Sequence, residues 1–106
     1  MDRTYWLSYD LGVGGDYEHL YQWLDDHNAL PCGDSVAYFR YTTRKRDIDQ
    51  ALSDDLINQV NLKPGNILYI IRKVDTGEIK GRFLYGKRKA APWVGYGSQP
   101  SGSMDE

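Results

Sequence analysis

The chain has 106 residues, 41% of them hydrophobic and 26% charged, which is typical of one globular domain and excludes a disordered or fibrous chain. Its single cysteine, Cys32, excludes an internal disulfide and a multi-cysteine metal site, so we expect a reducing, cytoplasmic environment. The longest apolar run, Ile67–Ile71, is too short to span a bilayer, and Ser8 and Asp10 interrupt the N-terminal stretch early. We therefore expect no membrane association and no secretory signal.

The formal net charge of −2 conceals an uneven distribution of charge along the chain. Residues 1–39 hold seven acids and one base, whereas residues 40–89 hold six acids and twelve bases. Such a separation fits either a basic binding face or a protein that associates with itself through opposite charges.

The first two predicted elements are a strand over Thr4–Leu11 and a helix that begins after Asp16. The glycines of Gly12–Gly15 end the strand, and Asp16 is suited to accept hydrogen bonds from the first helical amides. Apolar residues then recur with helical spacing at Tyr17, Leu20, Tyr21 and Leu24. The helix is predicted to end near Asn28.

A second helix is predicted over about residues 45–59, because Ile48, Leu52 and Leu56 recur every four residues. Ser53-Asp54-Asp55 resembles a helix start and leaves open a break at that point. Runs of strand-forming residues predict the remaining elements: a short edge strand near Ala29–Cys32, and strands at Ser35–Thr42, Ile67–Val74 and Ile79–Gly86.

The element order predicts an α+β fold of the ferredoxin-like split βαβ type. It would be an antiparallel sheet with two helices on one face and an extra C-terminal hairpin strand. If the short strand does not form, the alternative is a βαβ start with a terminal hairpin. We expect one domain over residues 1–97 and a disordered tail over residues 98–106, which contain serine, glycine and proline.

Asp10 is the first candidate site residue, because it lies where the first strand meets a glycine turn. Catalytic and metal-binding carboxylates often lie on such rigid elements, and Mg²⁺ prefers oxygen ligands. One carboxylate per chain is too few for a tight site, so a second copy related by a two-fold axis would have to supply another. The structural alternative is that Asp10 caps the Gly12–Gly15 turn.

A second candidate site is the basic C-terminal cluster, in which cations are interleaved with aromatic residues. Its predicted nucleic-acid-binding residues are Arg82, Lys87, Arg88, Lys89 and Trp93. Cations suit contacts with phosphates, and aromatic rings suit stacking with bases. The alternative is a solvated hairpin edge whose lysines prevent strand-to-strand aggregation.

Three short stretches, together with the element order over about residues 4–74, resemble a known family. They are Tyr9-Asp10-Leu11, Asp34-Ser35-Val36 and Leu62-Lys63-Pro64-Gly65-Asn66-Ile67. The chain resembles the small CRISPR-associated adaptation endonucleases and the related virulence-associated protein D group. This resemblance implies a ferredoxin-like homodimer in which Asp10 of each subunit flanks a shared Mg²⁺, with Ser35 nearby. It also implies cleavage of RNA or DNA, or a scaffolding role for DNA.

The leading hypothesis is therefore a homodimeric, Mg²⁺-dependent endonuclease that acts through Asp10 and Ser35. The first alternative is a non-catalytic nucleic-acid-binding or assembly module that uses the basic C-terminal hairpin. The second is a protein-interaction or toxin–antitoxin component whose acidic N-terminal half binds another protein of a defence system.

Overall fold

A computed structural model describes residues 1–88 and 90–98 of the chain. Its elements are β1 (Asp2–Asp10), α1 (Tyr17–Asp26), β2 (Leu30–Pro31), β3 (Val36–Thr42), α2 (Ile48–Gln59), β4 (Ile67–Lys73) and β5 (Ile79–Tyr85). Apart from Ser98, the tail that the sequence predicts to be disordered lies outside the described residues.

The five strands form one antiparallel sheet in the order β2-β3-β1-β4-β5. With its two helices, the protein is an α+β protein, and the arrangement is compatible with a ferredoxin-like fold. The short strand β2 is present and pairs with β3 through Leu30 and Pro31, so both strands predicted between the helices form.

Helix α1 begins as the sequence predicts, because the Asp16 carboxylate accepts a hydrogen bond from the His19 N–H at 3.3 Å. Its buried residues are Leu20, Trp23 and Leu24. The apolar stripe predicted from spacing was wrong at Tyr21, which is half-exposed and contacts other tyrosine rings at the edge of the core. Trp23, and not Tyr21, packs against the sheet, where its ring contacts Phe39.

Helix α2 is continuous, so the break that the sequence left open at Ser53–Asp55 does not occur. Ser53 is buried within the helix. The start signal lies instead at Asp47, whose side chain accepts a hydrogen bond from the Gln50 N–H at 3.0 Å. The helix therefore begins at Ile48, three residues later than the spacing predicts.

The strands alternate between a covered and an open face of the sheet. Side chains on the covered face pack against the two helices and form the core. They include Tyr5, Leu7 and Tyr9 of β1, Ala37, Phe39 and Tyr41 of β3, and Leu68 and Ile70 of β4. The opposite face is covered by neither helix, so its side chains are available to solvent or to a partner.

A buried ionic cluster around Asp49 lies at the edge of this core. The Asp49 carboxylate accepts hydrogen bonds from the Tyr5 hydroxyl, from Arg3 at 3.1 Å and from Arg72 at 2.8 Å. Burial alone would raise the pKa of Asp49, but the hydrogen bonds from Tyr5 and Arg72 outweigh it and lower that pKa below its ordinary value. The cluster ties the start of α2 to β1 and β4.

Candidate nucleic-acid interface

The open face of the sheet carries a group of partly exposed aromatic and aliphatic side chains. Trp6, Tyr38, Ile71 and Phe83 are each between 37% and 41% exposed, although they lie in the middle of paired strands. Contiguous exposed apolar surface of this kind marks interaction sites in soluble proteins. The open face is therefore the strongest candidate for a binding surface.

Pairing across the strands sets the positions of these side chains. Trp6 of β1 lies directly opposite both Tyr38 of β3 and Ile71 of β4. The rings of Trp6 and Tyr38 stack with centroids 5.2 Å apart and planes 11° apart. Directly paired side chains on one face of a sheet fix each other's orientation, so these two rings form an ordered parallel stack in the middle of the open face.

A second aromatic pair lies on β4 and β5. Tyr69 is paired with Phe83, and their rings meet edge to face with centroids 4.8 Å apart and planes 76° apart. Gly81 of β5 makes this arrangement possible, because a Cβ atom at that position would collide with the Tyr69 ring. The glycine thus lets the tyrosine ring lie over β5.

The structure brings only part of the predicted basic cluster to this face. Arg88 and Trp93 line a cavity of about 500 Å³ that also includes Phe83. Arg82 lies on the other side of β5, where its guanidinium is 4.0 Å from the Asp49 carboxylate. Lys87 is exposed beyond β5, and Lys89 lies outside the described residues.

The two helices contribute only negative charge. Neither α1 nor α2 contains lysine or arginine, and their exposed acids include Glu18, Asp25, Asp26 and Asp54. In contrast, Arg40 and Lys73 lie on the open face, and Arg44, Lys45 and Arg46 follow β3. The open face also carries Asp2 and Asp10, and Asp2 lies 3.6 Å from Arg40, so this face has mixed charge. A polyanion would therefore be repelled by the helices and much less by the open face.

Asp10 is exposed at the end of β1, on the same side of the strand as Trp6 and Ser8. Its Oδ1 atom accepts a hydrogen bond from the Gly12 N–H at 3.0 Å, which is the turn-capping contact of the structural alternative. Ser35 lies at the same end of the sheet, because its carbonyl accepts a hydrogen bond from the Tyr9 N–H at 3.0 Å.

Within residues 1–88 and 90–98, no group of three or more histidine, cysteine, aspartate or glutamate side chains is placed to hold a metal. Asp10 alone is a poor fit to a dedicated Mg²⁺ site, which needs several oxygen ligands. Any such site at this end of the sheet would require ligands from a second copy of the chain or from a phosphate.

Trp6, Tyr38 and Phe83 were not selected by reasoning from the sequence, although the signal was present. In β1, buried Tyr5, Leu7 and Tyr9 alternate with exposed Trp6, Ser8 and Asp10. When a tryptophan occurs among the exposed residues of an alternating strand, it indicates that the solvent-facing side of the sheet carries apolar surface. The position of Phe83 was harder to predict, because the register of β5 decides on which face of the sheet it lies.

Comparison with protein-family models, with curated proteins and with solved structures finds no match for this chain. Of the helices in the described part of the chain, none has both the length and the apolar character needed to cross a bilayer.

Proposed function

We propose that this protein binds single-stranded nucleic acid on the open face of its sheet. The observation that carries the proposal is the placement of Trp6, Tyr38, Tyr69 and Phe83 on the one sheet face that no helix covers. The proposal takes the domain to be a ferredoxin-like split βαβ with β5 added at the sheet edge. The strand order supports that assignment.

The chemistry of the face matches that of an unpaired strand. Each base has an apolar π face, and stacking on an aromatic side chain contributes about 1–3 kcal/mol per base. Arg40, Lys73 and Arg88 are exposed cations that suit phosphates. In a duplex the base faces are already stacked on one another, so the same surface favours single strands over duplexes.

The first test measures the affinity of the protein for a fluorescein-labelled oligothymidylate of twelve nucleotides by fluorescence anisotropy. We expect Trp6→Leu to weaken binding about tenfold, because one stacking partner is lost. Tyr21→Leu is the matched control, since Tyr21 is an exposed aromatic residue on the acidic helix α1. Equal losses in the two variants, or no binding by the wild type, would refute the proposal.

Salt dependence provides a second criterion within the same experiment. Binding through phosphates releases counterions, so affinity should fall steeply as salt increases from 50 to 200 mM, with a log–log slope of about −0.7 for each phosphate contacted. An affinity that does not change with salt would show that the protein contacts no phosphates, which would count against a nucleic-acid ligand.

A second candidate function is Mg²⁺-dependent cleavage of RNA or DNA by a homodimer, with Asp10 as the metal ligand and Ser35 beside it. One observation favours it: the exposed Asp10 carboxylate lies on the same side of β1 as Trp6. A strand bound across the open face would therefore pass near it. Two Asp10 carboxylates could hold the cation, which would stabilise charge on a phosphate oxygen.

Cleavage of labelled RNA and DNA with and without Mg²⁺ tests this second candidate. Asp10→Asn is an informative variant, because an asparagine oxygen can still accept the hydrogen bond from Gly12 while the charge is removed. We expect the variant to keep its fold and to lose any metal-dependent cleavage. Metal-dependent cleavage that survives in Asp10→Asn would rule out Asp10 as the metal ligand.

A further inference from the structure

A shallow cavity that is widely open to solvent lies between the open face and the chain that follows β5. It has a volume of about 500 Å³, and the residues that line it include Tyr69, Phe83, Arg88, Pro92 and Trp93. This volume is within the range of about 300–1,000 Å³ that is usual for small-molecule sites. Such sites combine apolar walls with a few polar groups that orient the ligand, as this cavity does.

The sheet side of the cavity is a fixed aromatic surface. Tyr69 lies over Gly81 and meets Phe83 edge to face with ring centroids 4.8 Å apart. The Tyr69 ring fills the space that a side chain at position 81 would occupy, and it also packs against Phe83. These two contacts restrict the orientation of the ring. A flat ligand therefore meets a surface that is already ordered, which reduces the entropic cost of binding.

The opposite side of the cavity is formed by the residues from Ala90 to Trp93, and two successive turns begin within this stretch. The Val94 N–H donates to the Ala91 carbonyl at 3.1 Å, and the Tyr96 N–H donates to the Trp93 carbonyl at 3.0 Å. These turns hold Trp93 at the cavity with 73% of its surface exposed. Among the described residues no other ring contacts Trp93, so its π face is open to a ligand.

The charge of the cavity specifies the kind of ligand. Among the described residues that line the cavity, Arg88 is the one charged residue, and none is an acid. A guanidinium offers paired N–H donors that match two oxygens of a phosphate. The cavity therefore suits a molecule that has a flat aromatic part and a phosphate.

We infer that this cavity binds one nucleotide of a single strand, with its base against Trp93 and Phe83 and its phosphate on Arg88. The inference rests on the proposed function and deepens it, since it assigns one nucleotide position on the open face. The acidic helices of a second copy would match the charge of Arg88 as well as a phosphate does, but a nucleotide also joins a flat base to its anionic group, which suits the open ring of Trp93 beside Arg88.

The test measures binding of adenosine 5′-monophosphate and of the twelve-nucleotide oligothymidylate to the whole chain by quenching of tryptophan fluorescence and by calorimetry. We expect Trp93→Leu to weaken binding of the mononucleotide about tenfold, within the range for loss of one stacking partner. Tyr96→Leu is the matched control, because Tyr96 is an exposed aromatic residue in the same segment that does not line the cavity.

Two further variants separate the contributions of the base and the phosphate. Arg88→Gln should weaken binding of adenosine 5′-monophosphate and leave binding of adenosine unchanged. Gly81→Ala should weaken binding of both, because its Cβ collides with the end of the Tyr69 ring and forces that ring to move, with no conflict with the backbone. Both positions are exposed, so we expect both variants to fold normally.

The outcomes distinguish the inference from the function on which it rests. Mononucleotide binding that is equal in the wild type, Trp93→Leu and Tyr96→Leu would overturn the nucleotide site. So would no binding of the mononucleotide by the wild type. If the oligothymidylate still binds in a manner that depends on Trp6, the proposed function stands without this site. If the oligothymidylate also fails to bind, both the nucleotide site and the proposed function are refuted.

Discussion

The two faces of the sheet are built from the same strands and differ in what covers them. Ile70 and Ile71 are neighbours in β4, yet Ile70 is fully buried under the helices and Ile71 is 41% exposed on the open face. Aromatic residues are present on both faces. On the covered face their burial stabilises the fold. On the open face the apolar surface remains exposed, and this leaves it free to contribute to binding.

The largest loss of stability is expected when the buried ion pairs of Asp49 are removed. Asp49→Ala removes the partner of Arg72, whose guanidinium is itself buried, and should destabilise the protein by about 3–5 kcal/mol. Urea unfolding followed by circular dichroism measures this loss. Asp54→Ala is the control on the same helix, and its exposed carboxylate should contribute about 0.5 kcal/mol or less.

A pair of identical substitutions compares the two faces directly. Ile70→Ala should cost about 2–5 kcal/mol, because it opens a cavity in the core. Ile71→Ala should cost about 1 kcal/mol or less, because the side chain is already partly in water. Similar losses in the two variants would show that the open face is buried in solution, for example by a second copy of the chain.

The pH dependence of stability should be dominated by Asp49, the buried carboxylate at the edge of the core. The pKa of Asp49 is lowered in the folded protein, so its contribution is present above the ordinary carboxyl pKa of about 4 and is lost as the pH falls below it. The urea midpoint should therefore fall between pH 5 and pH 2. The fall should be smaller in Asp49→Asn, which has no carboxyl group to titrate at that position.

The smallest effect on stability is expected for the open-face tryptophan. Trp6→Leu should change the free energy of unfolding by less than about 1 kcal/mol, since the side chain is partly exposed and leucine keeps some of its contacts. Trp23→Leu is the comparison on the covered face and should cost more, because Trp23 is buried and donates to Asp55 at 3.3 Å. A large loss in Trp6→Leu would mean that the open face is structural.

Much of the fold was predictable because its signals are local. The Asp16 helix cap, the glycine turn that ends β1 and the strong strand β4 depend on neighbouring residues and on spacing. The side on which Arg82 lies was not predictable, because it depends on the register between β4 and β5, which shifts at Leu68 and Tyr69.

The candidate site was less predictable than the fold, since it is formed by pairing between distant strands. Trp6 and Tyr38 are far apart in the sequence and stack only because β1 and β3 are neighbours in register. The ion pairs of Asp49 with Arg3 and Arg72 likewise depend on tertiary contacts. Sequence reasoning identified Arg88 and Trp93, but the cavity they share with Phe83 required the structure.

The most direct test of the account uses the three tryptophans as reporters of three regions. In a two-dimensional ¹⁵N–¹H NMR titration with the oligothymidylate, the indole N–H signals of Trp6 and Trp93 report the open face and its cavity. Trp23, buried on the side of α1 that faces the sheet, reports the covered face. We expect the Trp6 and Trp93 signals to shift and the Trp23 signal to stay in place. A shift confined to Trp23, or no shift at saturating oligonucleotide, would contradict this expectation.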